Sequence, residues 1–371
     1  MAYKYNRKND EFCYRTSEFS ETSRYNLRHA DKNMYSARRR NQARRKAQRK
    51  AKFTKGLVIF VIALAVVICA TLLISSLNKR NTKPEDTQNP SVATTPTEEV
   101  VEKISYSKTE NTVDFPKTSD AEYGIIVDKT TNTIVAERKI HKRVYPASTT
   151  KIMTLLVAVE NIKDINDTFT MTYEITDPLY IAQASVAGFK NDEKICMTDL
   201  LYGTILPSGA DAATGLAIKV AGSEENFVKL MNDKVKELEL ENTHFNNVTG
   251  LHHEENYSSV YDMAVILDAA LQNDLCKEIL STYQHTTAKT PQNPDGLLLS
   301  STLFNYMYGT EPETATILGG KTGYTTEAGY CIASYGKANA NNNEYIIVTF
   351  DSPGLWPAFN GQIDLYKQFA K

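Results

Sequence analysis

Ser148 and Lys151 stand three residues apart in the run Pro146-Ala147-Ser148-Thr149-Thr150-Lys151. On a helix that spacing puts both side chains on one face, with Cβ atoms roughly 5–6 Å apart. A serine hydroxyl is a weak nucleophile until a base takes its proton, and a lysine amine is such a base only when neutral. The positive end of a helix dipole, burial and a second nearby cation each disfavour the ammonium form. Moving a lysine from about 10.4 towards 7–8 corresponds to ~3–5 kcal/mol, within the range of active sites. Alone, Ser-x-x-Lys is common, and a solvated helix start is its default reading. Ser208-Gly209 after Pro207 would alone be a turn or cap. Gly319-Gly320-Lys321-Thr322-Gly323 lies in a strand-like run, where glycines imply close approach of another group to the backbone. Lys321 and Thr322 would set a cation and a hydroxyl beside a strand edge, suited to a carboxylate-ended peptide added as an extra strand.

The elements that must position these groups are legible in outline. Residues 121–128 and 133–138 read as strands joined at Lys129–Asn132. Ile152, Leu155, Leu156 and Val159 fall at i, i+3, i+4 and i+7, the stripe of an amphipathic helix, with Ser148 or Thr149 as its N-cap. Further helices are expected over 198–206, 211–220, 224–238 and 259–272. Strands are expected at 314–323, 328–337 and 344–351. A closing helix follows Trp356, with Ile363, Tyr366 and Phe369 as packing residues. A strand pair, a helical middle, three strands and a terminal helix give an α+β domain whose terminal elements form one antiparallel sheet beside a helical subdomain.

Charge divides the chain. Residues 1–55 hold 17 of the 42 Lys/Arg but only 5 of the 44 Asp/Glu, so the net charge of −2 conceals a basic tail and an acidic remainder. Residues 57–77 contain no charge; as a helix they would be about 32 Å long, enough for a hydrocarbon core of roughly 30 Å. The long leader and poor cleavage site argue against a removed signal peptide. Ten Lys/Arg between Arg38 and Lys55 place the N-terminus in the cytoplasm and residues 78–371 outside. The expected organisation is therefore a basic cytoplasmic tail over 1–55, a transmembrane signal anchor over 56–77, a Thr/Pro-rich stalk over 78–114 and a globular domain over 115–371. The tail is read as a topogenic block able to touch anionic headgroups, not as a nucleic-acid arm. Cys196, Cys276 and Cys331 read as small buried residues, and they support no metal site.

Order and spacing tie the three constellations together: they lie 60 and 113 residues apart, each on the element its role needs. Ser-x-x-Lys with a middle serine element and Lys-Thr-Gly is the motif set of penicillin-binding proteins and β-lactamases. Through PASTTKIMT, ILPSGADAATGLA, NTHFNNVTGLHHEENYSSVYDMA and GGKTGYTTEAGYCIAS, residues from about Tyr123 onward resemble the low-molecular-weight penicillin-binding D-alanyl-D-alanine carboxypeptidases. The resemblance implies a β-lactamase/transpeptidase-like fold, a stem peptide ending in D-Ala-D-Ala as substrate, β-lactams as covalent inhibitors, and neither metal nor organic cofactor. It makes Ser148 the acylated nucleophile, Lys151 its base and Ser208 a proton relay. Lys321 and Thr322 would hold the substrate carboxylate, and the N–H groups of Ser148 and of Tyr324, after Gly323, would form the oxyanion hole.

Two departures stand out. The middle motif is commonly Ser-x-Asn in the family, and Ala210 occupies the Asn position here. Many relatives also carry a further β-rich domain and a C-terminal anchor. Ala210 keeps a rival in play, a catalytically weak peptidoglycan-binding or penicillin-binding module; another penicillin-reactive hydrolase is a further alternative. A class A β-lactamase would need a Glu-x-x-Leu-Asn element between Ser208 and Lys321, where none is found. A zinc peptidase would need better than His252-His253-Glu254-Glu255, which lacks the spacing of His-Glu-x-x-His.

Overall fold

The computed structural model describes residues 103–371, except 308 and 311. The tail, the apolar stretch and most of the stalk lie outside the described residues. Among the described residues no helix is long and apolar enough to cross a membrane.

The described chain opens with β1 (Ser107–Asp114), β2 (Tyr123–Asp128) and β3 (Thr133–Arg138), then a 3₁₀ turn (Ala147–Thr150) that runs into α1 (Lys151–Asn161). The middle comprises β4 (Thr168–Thr170), α2 (Tyr173–Ile181), β5 (Lys194–Cys196), α3 (Met197–Ile205), α4 (Ala210–Ala221), α5 (Glu224–Glu237), α6 (Val260–Gln272) and α7 (Asp274–Ser281). The small strands β6 (Gln284–Thr286) and β7 (Leu298–Ser300) and the turn α8 (Phe304–Met307) lead to β8 (Ala315–Thr325), β9 (Gly329–Ala338), β10 (Glu344–Ser352) and the closing helix α9 (Leu355–Phe369).

The main sheet runs β1-β3-β2-β10-β9-β8. Its strands are antiparallel except at one edge, where β1 pairs parallel to β3. The all-antiparallel expectation is corrected there, and so is the reading of 107–114 as stalk. SKTENTVD shows its side chains mostly to solvent and lacks the apolar alternation that marks a half-buried strand. Tyr106, just before it, is buried, and its hydroxyl donates to Asp268 Oδ2 at 2.7 Å.

Alternation along the central strands separates two cores. Ile125, Val127, Ile346, Val348 and Ala333 face the helical subdomain. Ile126, Ile347, Ile332 and Tyr345 face α9 with Phe359, Ile363 and Tyr366. Gln362 pins α9 to the sheet, donating to the Ile347 carbonyl at 2.9 Å and to Ser334 Oγ at 2.7 Å. On the other side α1 is not amphipathic in use: all of Lys151–Ala158 is buried. Each fully buried Ile or Leu there contributes about 1.5–3 kcal/mol, so the helix that carries the lysine is among the best-fixed parts of the molecule.

Candidate active site

Ser148 does not cap α1. It sits inside the 3₁₀ turn, and no side-chain cap bond forms at Thr150, the residue before the helix. Its Oγ instead lies 3.1 Å from Lys151 Nζ. The turn brings the pair together at some backbone cost, since Ala147 takes φ +46 in the left-handed region.

A second turn, 247–250, holds the amine from behind. Lys151 Nζ donates to the Thr249 carbonyl at 2.6 Å. Asn247 Oδ1 shapes this turn by accepting from Thr249 N, Thr249 Oγ1 and Gly250 N at 3.1, 3.0 and 2.7 Å. Gly250 has φ +75, and a Cβ there would lie 1.9 Å from the Ala147 carbonyl oxygen, so only glycine lets the two turns touch. Lys151 is 2% exposed. Its pKa is lowered to about 7, chiefly because burial penalises the ammonium form, while the Asp211 carboxylate pulls the other way.

Strand β8 forms the opposing wall. Its partner register sets Lys321 across from Ala333 and Thr322 across from Ile332, so successive side chains turn to opposite faces of the sheet. A Cβ on Gly323 would sit 2.7 Å from the Ser148 amide nitrogen. The missing side chain therefore lets β8 close onto the nucleophile turn. Ser148, Lys151, Ser208, Thr322, Gly323 and Tyr324 all line one cleft of about 360 Å³. Ser208 is buried with φ +63, in the break between α3 and α4 that the sequence marks.

Lys321 lies on the same strand, where the sequence places it. It is 1% exposed and stands behind the cleft surface, its amine donating to the Thr322 carbonyl at 2.7 Å. Burial first, and the nearby Lys151 charge second, push its pKa well below the usual lysine value. Thr322 Oγ1 and Thr302 Oγ1, which both line the cleft, form a hydroxyl pair at 2.7 Å. Beyond them Tyr306 packs on Phe359, with ring centroids 4.8 Å apart, and Tyr324 meets its cross-strand partner Tyr330 at 4.4 Å. Among the described residues lining the cleft, Lys151 is the only Lys, Arg, Asp or Glu.

The sequence reading missed Thr249, Thr302 and Gln183. Asn247-x-Thr249-Gly250 carried a turn signal, but nothing in it announced a carbonyl aimed at an amine 98 residues away in the chain. Asp211, next to Ala210, is fully engaged: its carboxylate accepts from the backbone N–H groups of Ala187, Gly188 and Ala212 at 2.7, 3.0 and 2.9 Å. It cannot stand in for the missing Asn. Cys331 also lines the cleft, and its buried thiol is pushed up to about 12. Cys276 and Cys331 are buried and unbridged, whereas Cys196 is only half-buried.

Residues 109–354 match the family model described as D-alanyl-D-alanine carboxypeptidase. The chain belongs to this family. It is 31% identical over 231 residues to the D-alanyl-D-alanine carboxypeptidase DacF of Bacillus subtilis, covering 62% of this chain and 57% of that one. The crystal structure of the Streptomyces K15 DD-transpeptidase superposes with a TM-score of 0.60 at 27% identity, over 68% of this chain and 99% of that chain. Penicillin binding protein 5 from Haemophilus influenzae gives the same score and identity, over 68% of this chain and 72% of that one. The chain spans little more than half the length of the first curated relatives it matches.

Proposed function

We propose that the domain is a serine D,D-carboxypeptidase that removes the terminal D-Ala from peptidoglycan stem peptides through an acyl-enzyme on Ser148. The observation that carries this reading is the Ser148–Lys151 pair, 3.1 Å apart, with the amine near neutrality at physiological pH. Neutral Lys151 takes the Ser148 proton as Oγ attacks the carbonyl of the penultimate D-Ala. The N–H groups of Ser148 and Tyr324 receive the developing oxyanion; the contact of Gly323 with the Ser148 turn supports that pairing. The C–N bond then breaks, Lys151 returns the proton through Ser208 to the leaving amine, and D-Ala departs with its carboxylate released from the Thr302–Thr322 pair. Lys321 lies behind that pair, its amine donating to the Thr322 carbonyl. Water, deprotonated by Lys151, attacks the ester; the C–O bond breaks, Lys151 returns the proton to Ser148 Oγ, and the shortened peptide leaves. A fluorescent penicillin should label the wild type covalently and leave Ser148→Ala unlabelled, and a muramyl pentapeptide should release D-Ala. Labelling of Ser148→Ala at the wild-type rate would sink the assignment.

Transpeptidation is a second reading, favoured by the match over 99% of the Streptomyces K15 DD-transpeptidase. An acceptor amine would then take the acyl group in place of water. Adding glycine or a D-amino acid to the pentapeptide assay separates the two by product mass.

We further propose that residues 57–77 anchor the chain in the cell membrane, with the tail in the cytoplasm and the domain outside. The uncharged 21-residue run and its basic N-terminal flank support this. Protease added to intact protoplasts should remove the domain and spare a tag at residue 1.

A further inference from the structure

A cleft that takes a peptide must answer the peptide's own backbone N–H and C=O, because burying them unpaired forfeits the hydrogen bonds they make to water. A carboxamide answers both at once, with a donor and an acceptor on one planar group. Ala210 presents only a methyl group to the cleft. Among the described residues lining it, the only carboxamide belongs to Gln183. That side chain is exposed and makes no hydrogen bond to another described residue, so both of its polar atoms remain available.

The position of Gln183 is fixed although its side chain is not. It follows α2 with φ +52, a left-handed conformation that glutamine adopts reluctantly. Its N–H donates to the Tyr180 carbonyl at 3.2 Å, and the next N–H reaches Leu179 at 3.0 Å. Two residues on, the Ser185 carbonyl accepts from Ala210 N at 2.8 Å, and Asp211 fastens Ala187 and Gly188. The loop that carries the carboxamide is thus hydrogen-bonded to the very residue that lacks one.

We propose that Gln183 is a substrate-binding residue: its carboxamide pairs with a backbone amide of the bound peptide and makes the contact that Ala210 cannot. This rests on the reading of the cleft as a D,D-peptidase site. The test uses the full chain, with Gln183→Leu and Gln183→Ala, which alter an exposed position, and Ala210→Asn, which introduces the carboxamide from the other side. Penicillin carries an acylamido group, so it reports the same contact. The expected result is a 3- to 10-fold slower penicillin acylation in both Gln183 variants, in line with one neutral hydrogen bond. For D-Ala release the loss should appear in KM, with kcat and the pH midpoint retained. Adding Ala210→Asn to Gln183→Leu should restore acylation to within about twofold, a rescue that a merely structural role would not give. Wild-type rates in Gln183→Leu and Gln183→Ala would overturn the inference and leave the reading of the site intact. A wild type that penicillin never labels would overturn both.

Discussion

In the proposed reaction the chemistry turns on Lys151, because one proton on one nitrogen separates a base from a bystander. With its pKa near 7, set by burial against the opposing pull of Asp211, the amine is mostly neutral above pH 7 and increasingly protonated below it. Acylation therefore rises with pH and levels off above about 7. At pH 5 it should be about a hundredfold slower than on the plateau, the neutral fraction falling tenfold per pH unit. Penicillin acylation followed from pH 5 to 9 checks this, and a flat profile contradicts the role of Lys151. Lys321 is buried as well, but its amine donates to the Thr322 carbonyl, whereas the Lys151 amine lies against Ser148 Oγ.

Two turns and one strand converge at element scale, and both contacts between them depend on a missing side chain. Gly250→Ala would drive a methyl group into the Ala147 carbonyl and force a left-handed alanine. Gly323→Ala would push β8 off the Ser148 amide. Gly250→Ala should destabilise the domain by about 2 kcal/mol or more. Gly323→Ala should keep the fold and lose at least tenfold in acylation, since its clash falls on the Ser148 amide, the proposed oxyanion donor. Thermal unfolding beside penicillin labelling distinguishes them; normal acylation by Gly323→Ala would refute the close approach. The glycines of the Lys-Thr-Gly strand were readable in the sequence for this reason, as were α1, α4, α6 and the three C-terminal strands, whose periodicities are strong. α2 was not, because Pro178 lies inside it and proline argues against a helix interior. The short pairs β4–β5 and β6–β7 have three residues per strand, too few for a period to register. The burial of Lys321 was also illegible: strand alternation fixes which face a residue takes, but not how much of the helical layer covers it.

At the scale of the whole molecule, the chain upstream of β2 belongs to the fold. Tyr106 is buried against Tyr261 and Asp268, and Lys129 pairs with the same Asp268 at 3.4 Å. Removing residues 1–97 should leave the domain intact, since 98–371 form one compact unit. Removing 1–114 takes away β1 and a buried tyrosine with a charge-assisted hydrogen bond, a loss of roughly 3–5 kcal/mol. The longer deletion should melt on the order of 10 °C lower; equal melting temperatures would mean that β1 contributes nothing.

The strand order puts β1 at one margin of the sheet and β8 at the other. Five inter-strand spacings of about 4.8 Å separate them, roughly 24 Å of hydrogen-bonded backbone. If residues 57–77 anchor the chain as proposed, a tug on the N-terminal side of the domain would fall first on β1 and β3. Ser148, the proposed nucleophile, packs against β8 at the opposite margin and would be spared that load.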